Sequence, residues 1–197
     1  MKVLSLDEAN LFLSGIGKKI GNWNRIEDAV INQNSNGHWI NYQMPSDAQE
    51  LLNFATHVVS WLPKGKWKIF QIDDSNCLDS MQIILIQILL FGAGKLDRNL
   101  PRTFLFEFSE DKEINNKTEL LIANLMHLFL LFEGHAYIVS EGGIAGQCVA
   151  VQDGFVYFSC RDKELDGAAC LLKRFERNRL ASPPWIMQMI NDGLEGE

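Results

Sequence analysis

The chain has 197 residues and a mass of 22.4 kDa, with 47% hydrophobic and 22% charged residues. That usage is ordinary for a globular protein, and it excludes disordered, fibrous, low-complexity and disulfide-scaffold classes. The 18 basic residues against 25 acidic ones leave a formal charge of −7, which argues against nucleic acid because phosphate binding needs a basic patch. The length suits a single globular domain over residues 1–197.

The acidity is uneven. Residues 103–159 hold two lysines against eight carboxylates, whereas residues 161–179 hold six basic residues against four acidic ones. Cys77, Cys148, Cys160 and Cys170 are dispersed and form no C-x-x-C pair, so reduced, mostly buried thiols and a cytoplasmic protein are expected. The opening MKVLSLDEANLF lacks the apolar core of a signal peptide. The longest apolar stretch, Ile83 to Phe91, is too short to cross a bilayer, which needs about 20 residues.

In chain order, Ser5-Leu-Asp-Glu8 is a capping-box pattern that opens a helix through about Lys19. Asn34–Gly37 reads as a turn between a weak strand at Ala29–Asn32 and a better one at Trp39–Met44. A helix follows Pro45, its apolar stripe formed by Ala48, Leu51, Leu52, Ala55, Val58, Val59 and Leu62. Lys66–Ile72 reads as a strand and Asp73–Asn76 as a strand-to-helix turn. Lys66 and Lys68 flank Trp67, which predicts one exposed strand face.

The helix from Leu78 to Phe91 is apolar on nearly every side and is expected to be enclosed. Thr103–Ser109 puts Phe104, Phe106 and Phe108 on one strand face. A helix over about Asn116–Phe132 ends at Gly134. Strands Ala136–Ser140, Gln147–Gln152 and Phe155–Cys160 come next, the last two joined by the hairpin signal Asp153-Gly154. A basic helix over Lys163–Arg177 and a short one begun by Ser182-Pro-Pro close the chain. These elements predict an α/β (α+β) class: a single mixed sheet with a C-terminal antiparallel meander, flanked by helices. The two helical crossovers make their strands parallel if adjacent.

Chemistry could sit at the turn Asp73–Cys77, beyond the end of a strand. Cys77 near a helix N-terminus, with His38 or His135 as base, describes a cysteine hydrolase, although Asp73, Asp74 and Asp79 oppose thiol ionisation. Packing of Cys77 as a small hydrophobe is the simpler reading. Asp73 and Asp74 could also hold Mg²⁺, but only with further acids such as Glu110 and Asp111 converging from a parallel neighbour. The four histidines are isolated and no serine sits in a G-x-S-x-G setting, so no catalytic set, metal site or cofactor site is specified. Glu141–Gly146 has the glycines of a phosphate loop without the helix that must follow.

The segment LFLLFEGHAYIVSEGGIAGQCVAVQDGFVYFSC, Leu128–Cys160, and the acidic, tryptophan-containing chain around it resemble bacterial immunity proteins of polymorphic or contact-dependent toxin systems. The resemblance implies a binding protein that neutralises a cognate toxin, such as a nuclease, by occluding a basic active-site surface. No membrane and no nucleic acid enter that reading. Glu110, Asp111 and Glu113, with Asp73 and Asp74, are the expected partner-binding patch, since an acidic surface steers a cationic cleft toward it. The alternative is a small-molecule hydrolase using Asp73–Cys77. A third is a subunit bound through its apolar surface.

Overall fold

The computed structural model describes residues 1–28, 38–43, 47–73, 78–92, 100–141, 147–152, 155–160, 162–175 and 179–180. Ser5 and Glu8 form the expected capping box, but helix α1 covers only Leu6–Ser14. The chain then forms a hairpin of β2 (Lys18–Ile20) and β3 (Ile26–Asp28). Helix α2 (Ala48–Trp61) is capped by Asp47, whose carboxylate accepts from the Gln49 and Glu50 amides. Its stripe buries Leu51, Ala55, Val58 and Val59 as expected, together with Phe54. Helix α3 (Ser80–Phe91) is capped by Asp79 and Gln82. Helix α4 (Lys112–Leu131) begins four residues before the expected start because Asp111 caps it. Helix α5 spans Asp162–Lys173.

The remaining strands are β1 (Lys2–Val3), β4 (His38–Gln43), β5 (Trp67–Ile72), β6 (Thr103–Glu107), β7 (Ala136–Ser140), β8 (Cys148–Gln152), β9 (Phe155–Cys160) and β10 (Arg179–Leu180). They form one sheet in the order β1-β6-β5-β7-β8-β9-β4-β10. The α+β class and the β7-β8-β9 meander are as expected. The parallel pairing is not: every neighbour in this sheet is antiparallel, β5 with β6 included. The two candidate crossovers carry β6 and β7 back to opposite sides of β5, both reversed in direction.

Period-two alternation splits the strand side chains between two cores. Phe70, Ile72, Phe104, Phe106, Ile138, Val149 and Phe158 pack with buried residues of α2, α3, α4 and α5 on one face. Ile69, Leu105, Tyr137, Val139 and Tyr157 meet Leu13, Ile20 and Ile26 of α1 and its hairpin on the other. Trp67 faces this second core, edge-on to Phe12 at 5.5 Å between ring centroids. Both faces of β5 are buried, so the exposed face expected from the Lys66-Trp67-Lys68 alternation is absent from the strand. Gln71 and Thr103 are the buried polar pair between β5 and β6, with Thr103 Oγ1 donating to Gln71 Oε1 at 2.6 Å.

Two further expectations change. Helix α3 is not enclosed: Ile86 and Gln87 are its buried residues, while Met81, Leu85 and Ile88 are exposed. At the end of α4 the left-handed residue is Glu133 (φ 52°) rather than Gly134. Gly134 N–H donates to Phe129 O at 2.8 Å and closes the terminus around it. The weak strand at Ala29–Asn32, the turn at Asn34–Gly37, the Asp153-Gly154 turn and the C-terminal helix lie outside the described residues. Among the described residues, no helix is long and apolar enough to cross a membrane.

Candidate functional site

The antiparallel register places the expected acidic residues at opposite ends of the sheet. Trp67 pairs with Glu107 and Gln71 with Thr103, so Glu110 lies beyond the start of β5 and Asp73 beyond its end. Six residues of strand, roughly 20 Å, separate the two ends. Asp73 is fully buried, with its Oδ2 2.9 Å from Arg25 Nε. Its backbone is also held, the N–H donating to His135 O and the carbonyl accepting from Arg102 Nη1. Burial, with the Asp73 carboxylate adding to it, pushes the Tyr137 phenol above its ordinary range. Asp73 therefore belongs to an interior network and not to a surface patch, because its charge is committed within the fold.

Asp74 and Cys77 lie outside the described residues. Of the two candidate bases, His38 sits on β4, four strands from β5, or roughly 19 Å at ordinary strand spacing. Among the described residues no group of three metal-ligating side chains occurs. Cys148 is buried and Cys170 exposed.

Glu110, Asp111 and Glu113 do stand together, at the turn from β6 into α4. Their environments differ. Asp111 Oδ1 accepts from the Glu113 and Ile114 amides, at 2.8 and 3.3 Å, and serves as the helix cap. Glu113 pairs with Lys117 at 2.8 Å along the helix. Glu110 is exposed and forms no ion pair among the described residues. Of the three expected patch acids, Asp111 is engaged as the helix cap and Glu113 in an exposed ion pair, and Glu110 makes neither contact among the described residues.

Beside that turn is an open basin of about 940 Å³, walled by the Lys64–Lys68 segment, the end of β6 and the first turns of α4. Main-chain hydrogen bonds bring its walls together: Phe108 N–H donates to Lys66 O at 2.8 Å and Glu141 N–H to Trp67 O at 3.2 Å. The Glu141 carboxylate accepts from Lys66 N–H at 2.8 Å. Asn115 locks the far wall, its Oδ1 accepting from Ser109 N–H and its Nδ2 donating to Ser109 O.

Four lysines line this basin: Lys64, Lys66, Lys68 and Lys112. Glu110, Glu119 and Glu141 are its acids. Lys68 differs from the other three because its side chain is only 1% exposed. It projects on the helix-covered face, with Nζ 3.7 Å from Glu119 Oε1 and 4.3 Å from the centre of the Phe108 ring. Burial pushes its ammonium below the usual lysine range, the Glu119 carboxylate opposing and the Lys64 charge adding a smaller push. None of the lysines was anticipated as a site residue. The available signal was the spacing Lys64, Lys66, Lys68, which puts three cations on one side of an extended segment.

Comparison with protein-family models, curated proteins and solved structures finds no match to this chain.

Proposed function

We propose that the chain is a binding protein that takes its partner at the corner where β5, β6 and α4 meet. One observation carries the reading. Lys64, Lys66 and Lys112 line the basin, and none of them forms an ion pair among the described residues. Neighbouring like charges repel, and a partner that supplies anionic groups relieves the repulsion while gaining charge-assisted contacts. Glu110, on the same rim, meets a cation. The partner that fits is a protein surface of mixed sign, acidic toward the lysines and basic toward Glu110.

Neutralisation of a toxin, the role implied by the resemblance to immunity proteins, is one form of this reading. The net charge of −7 and the exposed Glu110 support it, because both favour approach of a cationic cleft.

The test is differential capture. Immobilised wild-type protein, a Lys64→Glu/Lys66→Glu/Lys112→Glu variant and a Glu110→Lys/Glu113→Lys variant are exposed to extract of the source cells at low and high salt. Support is a species retained by the wild type, released by salt and lost from the lysine variant. A toxin partner is lost from the glutamate variant as well. Equal retention by all three proteins rejects the corner as the recognition site.

A further inference from the structure

The floor of the basin contains a cation whose bonding capacity the fold leaves unused. Lysine carries three N–H donors, yet the Lys68 ammonium has no acceptor at ordinary hydrogen-bond distance among the described residues, Glu119 being its nearest carboxylate. Its approach to Glu119, at 3.7 Å, is too long for a hydrogen bond. The Phe108 ring beneath the ammonium contributes cation–π attraction and accepts no conventional hydrogen bond. A buried ion pair repays its desolvation only with good geometry and further hydrogen bonds. Here both are missing, although the residue lines an open basin.

We propose, building on the corner as the recognition site, that the basin reads a single carboxylate group. Lys68 Nζ is the donor that receives it, and Glu119 is the internal carboxylate that the incoming one displaces. The charge balance selects the ligand class. Four lysines against three glutamates leave one positive charge, which a monoanion neutralises and a phosphate dianion overshoots. The carboxylate belongs to an acidic side chain or chain terminus of the partner, or to a small organic acid.

Acetate is the probe, titrated at constant ionic strength into the full chain while backbone amide resonances are followed. Saturable shifts at Lys68, Phe108 and Glu119 are expected, with inorganic phosphate at pH 8 weaker than acetate. Lys68→Met abolishes the shifts. Glu119→Gln removes the internal competitor and tightens acetate by about fivefold, the worth of one partly exposed charge contact. That sign separates the proposal from a structural pair, for which loss of Glu119 leaves acetate affinity unchanged or weaker.

Shifts that survive Lys68→Met, phosphate binding tighter than acetate, no saturable shift, or no tightening in Glu119→Gln each overturn the proposal. Should Lys68→Met fail to fold, the Glu119→Gln result decides alone. Capture of the partner separates the two readings. A Lys68→Met protein that still captures it removes the carboxylate reader and keeps the corner. A rim-lysine variant that still captures it removes the corner itself. Loss of capture from Lys68→Met that acetate competes away identifies the partner as the source of the carboxylate; acetate binding without such competition identifies a small acid.

Discussion

Arg25 and Asp73, 48 positions apart, are joined by a 2.9 Å hydrogen bond from Nε to Oδ2 that ties the N-terminal hairpin to the end of β5. The two partners differ in burial: Asp73 is fully buried and the Arg25 side chain is 39% exposed. The substitutions should therefore be unequal. Arg25→Gln takes a charged partner from a buried carboxylate and should cost about 3 kcal/mol, whereas Asp73→Asn leaves a guanidinium that reaches water and should cost about 1 kcal/mol. Urea unfolding of both variants measures the difference, and equal losses would refute the asymmetry.

The acids at the β6–α4 turn should separate in the same way. Asp111→Ala removes the cap of a 20-residue helix and should lower stability by about 1 kcal/mol. Glu110→Ala breaks no hydrogen bond or ion pair among the described residues and should stay within about 0.5 kcal/mol of wild type. Thermal melts compare them directly. A Glu110→Ala loss as large as that of Asp111→Ala would show that Glu110 has a structural role as well.

Glu133 holds a left-handed conformation, φ 52°, at the position where helices usually place glycine. Removing its Cβ should relieve roughly 1 kcal/mol of backbone strain. Glu133→Gly is expected to raise the unfolding midpoint, and a lower midpoint contradicts the assignment.

At the start of α1, the Ser5 N–H, chiefly, and the Lys2 ammonium hold the Glu8 carboxylate down to about 2 from its ordinary 4.5. A carboxylate with a depressed folded value stabilises above its unfolded value and loses that contribution as pH falls through the folded one. The capping box should persist at pH 4.5 and open as pH approaches 2. The Glu8 side-chain resonance, followed by NMR, should titrate near 2; a midpoint near 4.5 contradicts the hydrogen bonds.

The readable parts of the sequence were those governed by local rules. Ser5 and Glu8, the α2 stripe and the three meander strands depend on spacing alone, and all appear. Strand direction does not depend on spacing. Nothing in Lys66–Ile72 or Thr103–Ser109 indicates that β6 runs against β5, and that one reversal separates Asp73 from Glu110. Glu113 reads as one of a run of acids with Glu110 and Asp111, while its partner Lys117 is one helical turn away. Lys68 faces away from its neighbour Trp67, and period-two alternation does not say which face of a strand helices will cover. The nearly continuous apolar surface of α3 suggested enclosure, but a helix at the end of a layer packs on one side only.

The bond between Gln71 and Thr103 has a consequence well beyond its own two side chains. Were β6 to slide by a single residue, the hydroxyl would turn to the opposite face and desert a buried amide, while Phe104 and Phe106 would leave the helices they pack against. The pair is a registration key, and it fixes which part of β6 arrives beside Lys68. Anyone grafting the lysine basin onto another scaffold must carry Gln71 and Thr103 with it, although neither lines the cavity.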